Sequence, residues 1–196
     1  MAVSRAPRDN RLLDAIDALP GARFSGTGWR VTREGRDPIQ CSAVGGRWDD
    51  RTFDALYTST KADGAIAEMY FHVSRGQPVI PSQVRYHLHE LAVSLASCLK
   101  LVPLDALQAL GLRTAGFGQL SYFERQQEYP RTQEIAEVAY FLGRDGLIVP
   151  SARSEHDNLI VFCEPAVRNS GPAAFEVVRD HGPIVWEDWR KTPFGY

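Results

Sequence analysis

Apolar residues recur along this chain with two alternating periods, and the switches between them predict the order of its elements. In NRLLDAIDALPG, Leu12, Leu13 and Ile16 share one side of a short helix that Asn10 caps and Pro20-Gly21 ends. GWRVT and ALYTS are short runs rich in aromatic and β-branched residues, which predicts strands. Helical spacing returns in TKADGAIAEMYFHVSRG, with Thr60 as N-cap, Ala65, Ile66, Met69 and Val73 along one stripe, and Gly76 past the end. Gly64 weakens that helix without forbidding it. SQVRYHLHE then alternates, Val84, Tyr86 and Leu88 against Arg85, His87 and His89, as a half-buried strand does.

VPLDALQALGL predicts a short helix that begins at its proline. RTQEIAEVAYFLGRDG carries the strongest helical pattern, Ile135, Val138, Ala139 and Leu142, stopped by Gly143 and Asp145-Gly146. LIVP, NLIVF, FEVV and PIVWEDW predict strands of a well-covered sheet. Helices and strands mix without a regular βαβ rhythm, so the expected class is α+β: a split or mostly antiparallel sheet with helices packed on it. No repeat or Gly/Ser linker divides the chain, which reads as an N-terminal helical arm over 1–22 and a single domain over 23–196.

The composition is that of an ordinary globular protein: 196 residues, 44% hydrophobic and 23% charged. Lys plus Arg total 22 against 24 for Asp plus Glu, a net charge of -2 that gives no long-range attraction to nucleic acid or an anionic membrane. MAVSRAPRDN lacks the apolar core of a signal peptide, and no apolar run reaches the roughly 18 residues of a membrane span, so a cytoplasmic protein is expected. The 3 cysteines are far apart and form no CxxC pair. Neither a disulfide framework nor a zinc knuckle is indicated, and buried thiols are expected.

Several motifs carry little. His87 and His89 share one side of a strand, a spacing that suits a metal, but no third ligand stands at recognisable spacing, so a solvated strand face is expected and no metal. GTG at 26–28 and GFG at 116–118 match neither a dinucleotide fingerprint nor a P-loop and read as turns. No serine sits in a G-x-S-x-G elbow.

The stretch GGRWDDRTFDALYTSTKADGAIAEMYFH is denser in chemistry. Gly45 and Gly46 let the backbone pass close to a bound group, and Arg47 and Trp48 follow at once, a corner that suits a phosphate-bearing ligand. Tyr57 lies in the next predicted strand and Glu68 in the helix behind it, so the side chains of Arg47, Tyr57 and Glu68 can converge on one cleft. On composition and spacing alone, an Arg47–Glu68 ion pair beside a core tyrosine is the expected reading of the same residues. His72 falls four residues after Glu68 on the same helical face, where a packed or solvated histidine is expected.

This stretch resembles the RES-domain family, toxins of RES-Xre toxin-antitoxin systems, whose name refers to arginine, glutamate and serine. The similarity runs from GWRV near residue 28 to NLIVF near residue 162, about two thirds of the chain. GGRWDD is similar to the family's Gly-Gly-Arg-Trp segment, ALYTS to its Leu-Tyr-hydroxyl strand, and GAIAEMYFH to its glutamate-bearing helix. The signature arginine, tyrosine and glutamate fall on Arg47, Tyr57 and Glu68. The serine falls on Ser151 in DGLIVPSAR, and the Tyr/Trp-Arg pair that opens the domain on Trp29-Arg30. Asp49-Asp50 stands where the family commonly has Asn-Pro, which unsettles the loop shape there. Thr58-Ser59-Thr60 is superficially similar to the Ser-Thr-Ser motif of another transferase group, but no paired glutamate accompanies Glu68.

The resemblance implies an ADP-ribosyltransferase-like fold and NAD+ as a consumed substrate, with no metal. It implies cleavage of the nicotinamide-ribose bond, with ADP-ribose passing to water, phosphate or a host protein, and growth arrest as the result. Arg47, helped by Arg30, would hold phosphate, Tyr57 would stack on nicotinamide or position the ribose, Glu68 would stabilise the oxocarbenium, and Ser151 would hydrogen-bond the NAD+. It implies as partner an Xre-like helix-turn-helix antitoxin that blocks the active site, and is compatible with a homodimer inside that complex. The alternative is a non-catalytic module that binds a nucleotide or protein in the same cleft.

Overall fold

The computed structural model describes residues 7–74, 84–118, 129–163 and 174–186. Ten elements follow in the order α1 (Asn10–Asp17), β1 (Ala22–Arg33), β2 (Ala55–Ser59), α2 (Ala62–Ser74), β3 (Tyr86–Lys100), α3 (Leu104–Ala109), α4 (Tyr129–Phe141), β4 (Gly146–Pro150), β5 (Asp157–Phe162) and β6 (Ala174–Pro183). The sheet runs β1-β2-β5-β4-β3-β6, and β1 also pairs with β3, so the first five strands of that order close into a ring with β6 appended to β3. Each pairing is antiparallel except the short β3–β4 register from Cys98↔Gly146 to Lys100↔Ile148. The mixed α+β class and the mostly antiparallel sheet are as expected; the closure is an addition.

Closure divides the apolar residues by strand parity. Leu56 of β2, Leu91, Val93 and Leu95 of β3, Ile148 of β4, and Leu159 and Val161 of β5 pack together inside the ring. Their neighbours Ala55, Leu147, Val149, Ile160 and Phe162 face outward and are covered by Leu12 and Ile16 of α1, Leu107 of α3 and Ile135, Val138 and Ala139 of α4. A third cluster joins Val31 of β1 to Ala65 and Ile66 of α2. Helices thus coat the ring on two sides, and the candidate site lies between the two coats.

Several expectations are corrected. GTG at 26–28 is no turn but the middle of β1, where a Cβ on Gly28 would meet Val93 Cγ2 at 3.0 Å and Thr58 Oγ1 at 3.1 Å inside the ring. GFG at 116–118 is a turn. The cap of α1 is Asp9, whose carboxylate accepts from Arg11 N, rather than Asn10, which begins the helix. Thr60 does not cap α2; its hydroxyl donates to the Asp157 carbonyl, and Lys61 O receives the first helical bond. PIVWEDW is not a strand within the described residues, because β6 ends at Pro183. Gly76, expected past the end of α2, lies outside them.

The cysteine expectation changes most. Cys41 and Cys163 form a disulfide across 122 residues with Cα atoms 6.4 Å apart, while Cys98 is free and buried. Sequence spacing hides the pair because Ala55 bridges them in space: Ser42 pairs with Ala55 on one side and Phe162 on the other. His89, expected on a solvated face, is 6% exposed, and its Nε2 lies 2.9 Å from Thr32 Oγ1. His87 is bonded through Nδ1 to Asp180 of β6 at 3.0 Å. No group of three or more metal-ligating side chains occurs among the described residues. No helix among them is long and apolar enough to cross a membrane.

Candidate active site

The loop before β2 is organised around one carboxylate. Asp49 is fully buried and accepts from Gly45 N at 2.6 Å, Gly46 N at 2.7 Å and the Tyr57 hydroxyl at 2.9 Å. The Tyr57 oxygen in turn accepts from Trp48 N at 2.9 Å. Gly45 takes φ +81°, the left-handed conformation glycine adopts without penalty, and a Cβ on Gly46 would sit 2.6 Å from the Tyr57 oxygen. From α4, Gln133 Nε2 donates to Gly46 O at 2.7 Å. Each neighbour of Arg47 is therefore fixed, and its guanidinium rests over the rings of Phe117 at 4.8 Å and Tyr129 at 5.2 Å. Burial, and then the Asp49 charge, push the Tyr57 phenol well above its ordinary pKa. It is a neutral strut, not an ionised base.

Glu68 comes from the opposite wall. The start of α2 lies so close to β2 that a Cβ on Gly64 would run into Ser59 Oγ, which explains a glycine inside that helix. One turn on, Glu68 Oε1 accepts from Ser151 Oγ at 2.7 Å and from Asn158 Nδ2 at 2.9 Å. The Arg47–Glu68 ion pair, expected from composition and spacing alone, gives way to this pair of neutral donors. Register explains their meeting: Asn158 pairs with Ser59 on one side and Val149 on the other, and Ser151 stands two residues beyond Val149, hence on the same face. Ser151 also accepts from Arg153 N at 3.0 Å, so its one proton is spent on the glutamate.

Between these walls lies a cavity of about 320 Å³, within the range of small-molecule sites, lined by Arg47, Tyr57 and Glu68 together with Met69, Phe71 and Asn158. A family model described as the RES domain matches residues 15–187. The chain belongs to the RES-domain family. Among solved structures, a chain of the M. tuberculosis MbcT-MbcA toxin-antitoxin complex matches this RES domain with a TM-score of 0.73 at 22% identity, over 93% of this chain and 97% of that one. At that identity the likeness speaks for the fold. Comparison with curated protein sequences gives no match.

The RES domain thus lines one cleft with Arg47, Tyr57 and Glu68, while Ser151, which is not part of the lining, meets it through its bond to Glu68. Arg30 reaches the cavity wall, but its Nη1 donates to the carbonyls of Pro38 at 2.7 Å and Gln40 at 3.0 Å, which ties down the loop leading to Cys41. His72 also lines the cavity and touches the Phe71 ring. Arg153 stacks over Phe71 at 3.4 Å and donates to the Gly118 carbonyl, joining the β4–β5 turn to the segment that carries Phe117. Sequence reasoning missed Asn158 and the role of Asp49. For Asp49 a signal existed: a carboxylate three residues after a glycine pair is well placed to cap the turn they make.

Proposed function

We propose that this RES domain is an NAD+-consuming enzyme and the toxin of a toxin-antitoxin pair. The observation that carries the reading is Glu68, held through Oε1 by Ser151 and Asn158 at the wall of a cavity that Arg47 also lines. Heterolysis of the nicotinamide-ribose bond sends the electron pair out with nicotinamide and leaves an oxocarbenium-like ribose, which one carboxylate stabilises at close range. Glu68 is suited to that task because one oxygen is anchored while the other takes no hydrogen bond among the described residues. Arg47, stacked on two aromatic rings, is suited to hold phosphate, since a guanidinium offers a fork of donors to an anion. Tyr57 supports this by fixing the Arg47 loop through its hydroxyl.

The acceptor, water, phosphate or a host protein, adds to the ribose carbon and loses its proton to Glu68 or solvent. With water the balance is NAD+ plus water giving ADP-ribose, nicotinamide and a proton. An antitoxin that fills this cleft would silence the enzyme, and the MbcT-MbcA neighbour supports a partner protein of that kind. Purified protein incubated with NAD+ is expected to release nicotinamide, and Glu68→Gln and Arg47→Ala to lose release while keeping their melting temperature. Tight NAD+ binding without turnover would instead make the cleft a non-catalytic nucleotide site. Free ADP-ribose, its phosphorylated form or labelled lysate protein identifies the acceptor.

A further inference from the structure

Glu68 is held asymmetrically, and one of its two anchors has a peculiarity of its own. Asn158 Nδ2 donates to Glu68 Oε1 at 2.9 Å, yet Asn158 Oδ1 is buried without a hydrogen-bond partner among the described residues. Buried polar atoms are seldom left so, and an unpaired one calls for a reason. Turning the amide over would not remove the problem, because Oδ1 would then face the carboxylate as acceptor against acceptor. The amide therefore stands in the one orientation that gives Glu68 a donor, and the acceptor is left unpaired as the consequence.

Its backbone is equally fixed. Asn158 is flanked by β2 at Ser59 and by β4 at Val149, so neither its strand nor its face can shift without breaking two pairings. Ser151, by contrast, stands in the turn after β4, where its N–H bonds His156 O. A carboxylate held by a serine alone could swing about that single bond. With a second donor from an adjacent rung, the carboxylate plane is defined and Oε2 is the oxygen left over for the cavity.

We propose that Asn158 is a positioning residue: it sets the orientation of the Glu68 carboxylate so that Oε2 faces the reacting ribose. This rests on the NAD+-cleaving reading above, but part of its test does not. In the unliganded protein labelled with 13C at glutamate carboxyls, with the Glu68 signal assigned through Glu68→Gln, Asn158→Ala is expected to move or broaden that signal at fixed pH. An unmoved signal would overturn the proposal whether or not NAD+ is turned over.

In the kinetic arm, loss of one hydrogen bond to a charged group corresponds to roughly a tenfold fall in kcat, with the NAD+ KM unchanged within about twofold. Asn158→Asp, which keeps the side-chain shape but sets an acceptor against Glu68, is expected to lose more than Asn158→Ala. A merely structural asparagine predicts the opposite order and a raised KM, and either result would overturn the proposal. In a Glu68→Gln background Asn158→Ala should add little; a full further tenfold loss there would also count against it. Should Asn158→Ala fail to fold, Asn158→Ser, which keeps a small polar group on the strand, carries both measurements. If wild type releases no nicotinamide, the enzymatic reading fails, while the carboxyl signal still decides whether Asn158 holds Glu68.

Discussion

Replacing Asp49 by alanine removes the single carboxylate on which the Arg47 loop is built. Three hydrogen bonds disappear together, to Gly45 N, Gly46 N and the Tyr57 hydroxyl, at 2.6, 2.7 and 2.9 Å. Hydrogen bonds to charged groups contribute about 1.5–3 kcal/mol each when their loss strands the partner. The two glycine N–H groups stand near the surface, where water can replace part of what is lost, so the expected cost is about 3–5 kcal/mol, a large share of a typical 5–15 kcal/mol total. Asp49→Asn keeps the size and one acceptor oxygen and should cost about 1–2 kcal/mol. Urea denaturation read by tryptophan fluorescence gives both values, because buried Trp48 lies in the loop itself. Tyr57→Phe deletes one of the three bonds, so the Asp49→Ala and Tyr57→Phe losses should overlap by about 1 kcal/mol or more in a double-mutant cycle. On the proposed NAD+-cleaving reading, a loosened Arg47 should raise the NAD+ KM more than it lowers kcat. Asp49→Ala within about 0.5 kcal/mol of wild type, or strict additivity with Tyr57→Phe, would refute this account of the loop.

Two further outcomes are expected. Reducing the Cys41–Cys163 disulfide opens a 122-residue loop in the unfolded chain, which by loop entropy is worth about 5 kcal/mol, or on the order of 10–20 °C in melting temperature. Calorimetry with and without reductant reads the shift, and thiol titration of the denatured, unreduced protein should find one reactive thiol, so three would deny the bond. His89 is held below its ordinary pKa of 6.5 by burial first, with Asp180 opposing and His87, Arg30 and His181 adding to the lowering. The folded form therefore resists the proton that the unfolded chain accepts, so stability present above pH 6.5 is lost as pH falls through the His89 value. His89→Gln, which can keep the bond to Thr32, should flatten that slope in denaturation curves between about pH 7 and 5, and an unaltered slope would place the titration elsewhere.

The elements were legible in the sequence where one face was apolar at constant spacing. ALYTS became β2 residue for residue, and Ile135, Val138 and Ala139 did point into the core. The site was half legible: Arg47, Tyr57, Glu68 and Ser151 surfaced through a family pattern, and the first three line one cleft while Ser151 meets it through Glu68. What could not be read depends on pairing between distant segments. The disulfide needs Ala55 between Ser42 and Phe162, and the Asn158 contact needs β5 beside both β2 and β4. GTG misled for a related reason, since its last glycine answers to Val93 and Thr58 across the ring and not to a local turn.

The closed ring also limits how any inhibitor can approach. The two Glu68 anchors come from β5 and the turn after β4, and β5 is paired along both sides, with β2 from Ala55↔Phe162 to Ser59↔Asn158 and with β4 from Gly146↔Val161 to Pro150↔Asp157. A protein that silences this site therefore cannot do so by adding a strand beside β5, in the way many peptide ligands extend a sheet. It has to enter through the mouth between α2 and the Arg47 loop, with side chains or a chain terminus narrow enough to pass. Blocking is then a matter of plugging, and the width of that mouth, where exposed Val44 stands, selects what fits.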